Sequence, residues 1–155
     1  FGGHKYAAGL KLHESKLKLF RSEFEKFSNK NISEKQKTKT LIYDLEISLS
    51  DLNLKFFKII EQMEPFGPNN LKPIFCSRNC VTTSQIRTVG NDNKHLQLFI
   101  KSKNKIYKGI AFGRGDLLNK INESKGFDIL YSVEKNTWNG NTELQLIIMD
   151  LKLNN

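Results

Sequence analysis

A glycine-rich segment near the start of the chain contains the residues best suited to bind an anion. Gly2 and Gly3 are followed by His4 and Lys5 and then by small residues. Adjacent glycines let a ligand approach the backbone, and successive amide groups at a turn leading into a helix can surround a phosphate. His4 and Lys5 add side-chain donors. The segment therefore predicts a phosphate contact, and a tight turn that binds nothing remains the alternative.

A second set of candidate residues is basic. The chain has 25 Lys and Arg against 16 Asp and Glu, and its net charge of +9 favours an anionic partner. No acidic residue occurs between Asp92 and Asp116. This interval holds what we call the basic stripe, composed of Lys94, Lys101, Lys103, Lys105, Lys108 and Arg114. The stripe predicts phosphate contacts, and lysines that protect a sheet edge from aggregation are the other interpretation.

Aromatic side chains near the basic stripe could stack on bases. Each stacked base contributes roughly 1 to 3 kcal/mol in single-strand binders. Tyr107 and Trp138 are the candidates, and Trp138 is the stronger because it lies in a predicted turn; packing over the end of a barrel is the alternative for Trp138. Phe112 is expected in the core. Arg87 is a further binding candidate, since strand alternation places it on the opposite face from Ile86.

Other kinds of site have little support in the sequence. Two cysteines and three scattered histidines offer no disulfide framework and no metal-ligand spacing, so we predict no metal site and no cofactor in this chain. His95 is expected to bond the backbone, with a phosphate contact as the alternative. Asp44 and Glu46 are interpreted as a solvated strand edge. Without a leader or a membrane span, we expect a cytoplasmic protein with no membrane partner.

The first half of the chain contains two amphipathic patterns. Apolar residues at helical spacing predict a helix from Glu14 to about residue 28–31, after a short strand at Leu10–Leu12. Another short strand is expected at Leu41–Tyr43. A second helix is expected from a cap at Ser50 or Asp51 to Met63, just before a proline.

The second half changes to strand-forming patterns separated by turn residues. Five strands are predicted, with a short helix near 117–121 between the third and the fourth; their ranges are 74–89, 95–100, 105–112, 127–135 and 142–153. This order is typical of the OB-fold, a small barrel that commonly binds oligonucleotides. The predicted fold class is α+β, in which a small α/β part with amphipathic helices is followed by a five-stranded OB-like β-barrel.

Two motifs resemble the RecJ family of single-strand DNA exonucleases. Gly-Gly-His-x-x-Ala-Ala-Gly at 2–9 is similar to the signature of the DHH-associated domain, which RecJ shares with small oligonucleotide phosphodiesterases and, in variant form, with alanyl-tRNA synthetase. Residues 63–75, Met-Glu-Pro-Phe-Gly-Pro-Asn-Asn-Leu-Lys-Pro-Ile-Phe, resemble the segment that introduces the RecJ OB domain. Shorter similarities follow at 89–90, 95–96, 111–113, 138–140 and 144–146. Together they cover nearly the whole chain.

The resemblance implies a domain organisation. Residues 1–64 would be the carboxy-terminal part of the DHH-associated domain, 65–73 a Pro/Gly linker and 74–155 the OB domain. The chain begins at Phe1 without an initiator Met, which suggests a piece of a larger protein. The family's Asp-His-His domain, expected to hold Mg or Mn ions, would precede Phe1. Enzyme status is therefore uncertain: the parent would be a metal-dependent exonuclease, and this piece alone is expected to be inactive.

The resemblance also implies a function. We expect single-stranded DNA binding by the non-catalytic part of a 5′-to-3′ exonuclease in DNA repair and recombination, with a single-strand-binding protein or a helicase as a possible partner. The predicted contacts are Gly2, Gly3, His4, Lys5, Arg87, Lys101, Lys103, Lys105, Lys108, Arg114 and Trp138. Two alternatives stay open: an OB-fold protein-interaction module, and part of a short-oligonucleotide phosphodiesterase, which would not need the barrel.

Overall fold

The computed structural model describes residues 1–38, 40–138 and 140–154, and the side chains of Trp138 and Asn141 lie outside that description. The chain divides into two compact units, Phe1–Leu41 and Ile42–Asn155. Within the described residues, no helix is both long and apolar enough to cross a membrane.

The first unit is a hairpin followed by helices. Strands β1 (Gly2–His4) and β2 (Ala7–Gly9) pair antiparallel, α1 spans Leu17–Asn31 and α2 spans Glu34–Lys37. The predicted amphipathic helix is present as α1, but the strand predicted at 10–12 is wrong, since the small residues just before it form the hairpin instead. None of the described residues of this unit is buried.

The second unit opens with a short strand and a helix. Strand β3 (Leu45–Glu46) pairs parallel with the start of the barrel, slightly later than the strand predicted at 41–43. Helix α3 spans Leu54–Glu61 and begins after Asn53, whose side chain accepts a hydrogen bond from the Phe56 amide. The cap predicted at residue 50 or 51 is wrong because both residues lie in a preceding 3₁₀ turn.

The rest of this unit is a closed barrel, confirming the predicted OB-like class. Its strands are β4 (Phe75–Thr82), β5 (Arg87–Val89), β6 (His95–Ser102), β7 (Lys105–Ala111), β8 (Gly126–Trp138) and β9 (Asn141–Asn154), with α4 (Leu118–Glu123) between β7 and β8. Hydrogen bonds close the ring β4–β8–β9–β7–β6–β4, in which only β7 and β9 are parallel. The single strand predicted at 74–89 is divided into β4 and β5, which leaves β4 free to pair with both β6 and β8.

The barrel and α3 share one hydrophobic core. Leu52, Phe57 and Ile60 pack in the same cluster as the inward side chains of the barrel strands. Tyr107 is buried, and its hydroxyl donates a hydrogen bond to the Leu52 carbonyl at 2.6 Å. Tyr107 is therefore a core residue. The prediction that its ring stacks on a base is wrong, because strand alternation points the side chain into the barrel. The predicted boundaries of the linker, after residue 64 and before residue 74, stay a prediction. The hydrophobic core contains residues from both sides of that linker.

A polar network joins β4, β8 and β9. The Asp128 carboxylate accepts hydrogen bonds from the Asn79 amide at 3.0 Å, from Arg78 at 3.2 Å and from Asn154 at 3.2 Å. These contacts, led by the Asn79 amide, lower the pKa of Asp128 despite partial burial. Nearby, burial raises the pKa of the Cys80 thiol to about 12, so this free cysteine is a neutral core residue.

Candidate nucleic-acid interface

The outer face of β6 and β7 carries the alternate residues of both strands that point away from the core; of these, Gln97 is itself covered and only 6% exposed. Leu96, Leu98 and Ile100 point into the core, so the intervening residues of β6 point outward. The register sets these outward residues of β6 opposite residues of β7 in the pairs Gln97 with Ile110, Phe99 with Lys108 and Lys101 with Ile106. Strand β9 extends the face with Gln145 beside Lys108 and Ile147 beside Ile110, and β5 adds Arg87 beside Gln97. We call this surface the outer face.

The β6–β7 hairpin carries four lysines of the basic stripe, on or beside one end of the outer face. Lys101, Lys103 and Lys105 are exposed around the β6–β7 turn, and Lys108 is half-buried on β7. Among the described residues, no carboxylate lies within 4.0 Å of these four ammonium groups. Because they lack partners there, their positive potential is available to an anion. We call them the hairpin lysines.

The other two members of the basic stripe are paired with carboxylates. Lys94 lies 3.1 Å from Asp92, and Arg114 lies 3.2 Å from Asp150. Arg114 is thus partly neutralised by the end of β9. The structure separates the continuous stripe of the sequence into unpaired hairpin lysines and paired cations, although the role of Arg114 in binding stays a prediction.

A groove of about 530 Å³ runs beside the hairpin lysines. Its walls include Lys105 and Lys108, the aromatic ring of Phe99 and the exposed side chains of Leu54 and Ile106. Glu143 is the acidic residue among those lining it. Apolar walls beside ammonium groups suit a ligand that has both flat apolar surfaces and negative charge.

The aromatic side chains on the surface differ from those that the sequence predicts. The prediction that Phe112 lies in the core is wrong, since it is 57% exposed: Ala111 occupies the inward position and the next residue must point out. The backbone of Trp138 ends β8 and pairs with Asn141, but its side chain lies outside the described part of the chain. Phe99 is a residue that the sequence reasoning missed, although its position between two inward residues of β6 was a signal that could have found it.

His95 has the structural role that we expected. Its Nδ1 accepts a hydrogen bond from the Gly113 amide at 3.1 Å, and its ring packs edge-on against Phe112 with centroids 5.1 Å apart. Gly90, at φ 83°, leaves room for the ring, since a Cβ there would lie 2.7 Å from His95 Cδ2. The imidazole thus fixes the loop on which Phe112 is displayed.

Arg87 lies on β5 directly opposite Gln97 of β6. Its Nε donates a hydrogen bond to Gln97 Oε1 at 2.8 Å, and the glutamine itself is 6% exposed. Arg87 is exposed and therefore displays a charge on the outer face, at the opposite side from the groove walls formed by β9.

The Gly2–Lys5 segment forms β1 and the start of the turn to β2. A Cβ on Gly3 would lie 2.7 Å from that of Ala8, so close pairing explains both small residues. His4 Nδ1 accepts a hydrogen bond from the Tyr6 amide at 3.2 Å. The predicted turn into a helix is wrong, because a second strand follows and α1 begins only at Leu17. Phosphate contact by these residues stays a prediction.

Within the described residues, no group of three or more His, Cys, Asp or Glu side chains could hold a metal ion. The side chains brought together on the outer face are donors and apolar surfaces. They can bind and orient a polyanion.

Comparison with known protein families identifies the RecJ OB domain. The model of the RecJ OB domain matches residues 43–150. Among curated proteins, the single-stranded-DNA-specific exonuclease RecJ of Bacillus subtilis strain 168 is 25% identical over 150 residues, covering 97% of this chain and 19% of that protein. The enzyme of the same name from Escherichia coli strain K12 is 27% identical over 150 residues, covering 96% of this chain and 25% of that protein. The chain thus spans about a fifth to a quarter of the length of these relatives.

Solved structures show the same fold. RecJ from Thermus thermophilus in complex with Mn²⁺ superimposes with a TM-score of 0.72 at 22% identity, over 97% of this chain and 21% of that one. The Mg²⁺ complex from the same organism gives a TM-score of 0.61 at 23% identity, over 97% and 22%. The likeness includes both units of the chain.

Proposed function

Since the chain belongs to the RecJ OB domain family, we propose that it binds single-stranded DNA on the outer face as the non-catalytic part of a longer exonuclease. OB-folds commonly bind oligonucleotides on the face of their second and third strands. In this barrel those strands are β6 and β7, counting β4 and β5 as the first strand. The observation that carries the proposal is the set of hairpin lysines beside the apolar groove.

The physical chemistry of the outer face fits a single strand. Lysines at the β6–β7 turn can neutralise successive phosphates, which releases counterions and makes binding sensitive to salt. Phe99 and the apolar walls of the groove offer surfaces to bases that are free of a duplex. Arg87 and Arg114 extend the proposed contacts along the face, and Trp138 is proposed at the β8–β9 hairpin.

In the parent protein, we propose that a separate metal-binding domain performs the hydrolysis with Mg or Mn ions. Among the described residues, no group of three or more His, Cys, Asp or Glu side chains could hold such an ion. The contribution of this chain is to guide the strand, and Gly2, Gly3, His4 and Lys5 are proposed to contact a phosphate near that domain. We propose that the parent protein acts in the cytoplasm, in 5′-to-3′ degradation during DNA repair and recombination.

Fluorescence anisotropy of a labelled oligonucleotide tests the proposal. The 155-residue chain should bind a single strand in preference to a duplex competitor, with an affinity that falls steeply as salt rises. Equal binding of duplex and single strand, or an affinity independent of salt, would contradict it.

A protein-docking module is the second candidate, favoured by a separate apolar groove of about 300 Å³. This groove is lined by α3, by β3 and by Leu71, and it exposes Leu45, Ile59 and Met63. A single-strand-binding protein or a helicase is the proposed kind of partner. Binding of such a protein, abolished by Ile59→Glu and retained after loss of DNA binding, would support this function.

A further inference from the structure

Arg87 differs from the other arginines of the second unit in what holds it. Arg78 is bonded to Glu46 and Asp128, and Arg114 lies against Asp150, so each of these charges is balanced by a carboxylate. The acceptor on Arg87 is the neutral amide of Gln97. A neutral acceptor fixes the guanidinium without cancelling its charge.

The geometry leaves the outer edge of the guanidinium free. Arginine has five N–H donors, and the Nε–H donates to Gln97 Oε1 at 2.8 Å. Among the described residues, no protein acceptor lies within hydrogen-bond distance of the two Nη groups. Because arginine can only donate, the amide atom that faces it must be the oxygen. The four remaining N–H donors belong to the two Nη groups, which lie in one plane and can together bind two oxygens of a phosphate.

Burial makes Gln97 a rigid support. Its side chain is 6% exposed and lies on β6 directly opposite Arg87, in register with Ile110 of β7. A buried glutamine in a strand loses little further freedom when it holds a partner, so the arginine loses less conformational entropy when a ligand arrives.

We infer that Gln97 is a positioning residue that holds Arg87 in the orientation in which its Nη groups bind a phosphate of single-stranded DNA. The inference rests on the proposed function and deepens it, because it assigns a phosphate contact to Arg87 on β5 and the support of that contact to Gln97 on β6. Glutamate at position 97 would accept the same hydrogen bond from Arg87, but its negative charge would neutralise the guanidinium that binds the phosphate.

A double-mutant cycle tests the inference by anisotropy with labelled oligothymidylate. Arg87→Ala should weaken binding by about tenfold and make the salt dependence shallower by about 0.7 in the logarithmic slope, the loss of one phosphate contact on a single strand. Gln97→Met, which keeps the length of the side chain and removes the acceptor, should weaken binding by about threefold. In the Arg87→Ala background, Gln97→Met should have no further effect.

Two further variants keep the test independent of folding. Arg87→Lys leaves the core untouched and keeps the charge, yet it lacks the fork that Gln97 holds, so it should bind more weakly than wild type. Lys120→Ala, an equal loss of charge on exposed α4, should leave the affinity nearly unchanged. Thermal melting of each variant identifies the temperature range in which all are folded.

The outcomes separate the inference from the function. If wild type shows no salt-sensitive binding of single strands, both fall together. If wild type binds but Arg87→Ala or Arg87→Lys binds equally well, only the inference is overturned. It is also overturned if Gln97→Met weakens binding by the same factor with and without Arg87.

Discussion

Replacing Lys101, Lys105 and Lys108 together by glutamine should remove most of the salt-dependent affinity for single-stranded DNA. Lys101 and Lys105 flank the β6–β7 turn, and Lys108 lies three residues further along β7. Lys101 is two positions from Phe99, the residue opposite Lys108, so the Cα atoms of Lys101 and Lys108 are about 7 to 8 Å apart. None has a carboxylate partner among the described residues. Each can therefore contact a different phosphate.

The magnitude follows from counterion release. A phosphate contact on a single strand contributes about 0.7 to the slope of log K against log salt, so the triple variant should lose about 2 from the slope. Extrapolated from a reference of about 1 M, this loss corresponds to roughly 100-fold weaker binding at about 0.1 M salt and roughly tenfold at about 0.3 M. Anisotropy titrations at several salt concentrations give both quantities.

A matched variant separates local contacts from net charge. Lys120, Lys125 and Lys152 are exposed and lie on α4, before β8 and near the end of β9. Their replacement by glutamine removes the same charge from other surfaces and should change the slope little. Equal losses in the two triple variants would refute the reasoning, since binding would then depend on net charge and not on the hairpin lysines.

Three further predictions concern the scaffold. Tyr107→Phe leaves the buried Leu52 carbonyl without its donor, and chemical denaturation should show a loss of about 1 to 3 kcal/mol; an unchanged unfolding free energy would contradict the proposed link between α3 and the barrel. Asp128 has a lowered pKa in the folded protein, so its contribution is complete above the ordinary value of 3.8 and is lost as pH falls through the lower folded value. Asp128→Asn should therefore be less stable than wild type at neutral pH by about 1 to 3 kcal/mol, and thermal melts should show the difference vanishing in acid; a constant difference would exclude this linkage. Gly90→Ala should destabilise by about 1 to 3 kcal/mol because of its positive φ and the adjacent imidazole, and an unaltered melting temperature would show that the loop relaxes freely.

The strand order could be predicted from the sequence because the physics that sets it is local. Alternating apolar residues with turn residues between them define β6 to β9, and the short helix after β7 fixes the OB order. The division of 74–89 into β4 and β5 could not be predicted in this way, since it depends on β4 pairing with two different strands. Long-range pairing of that kind leaves no periodic signal.

The part of the candidate site that depends on local sequence was predictable, and the part that depends on long-range contacts was not. The hairpin lysines follow from their place in the sequence, but the neutralisation of Arg114 requires Asp150, a residue 36 positions away. The predicted surfaces of Tyr107 and Phe112 are wrong because the sequence does not reveal the register of β7. Once Ala111 is placed inward, alternation assigns both correctly.

Chemical-shift mapping with oligothymidylate tests the central claim most directly. Backbone amide resonances of the 155-residue chain are followed as the oligonucleotide is added at low salt. We predict that the shifts concentrate on β5, β6 and β7, with the largest near Phe99, Lys101 and Lys108, and that they diminish as salt is raised. Shifts confined to α3 and the apolar groove beside β3, or no shifts at all, would contradict the assignment of the outer face as the DNA-binding surface.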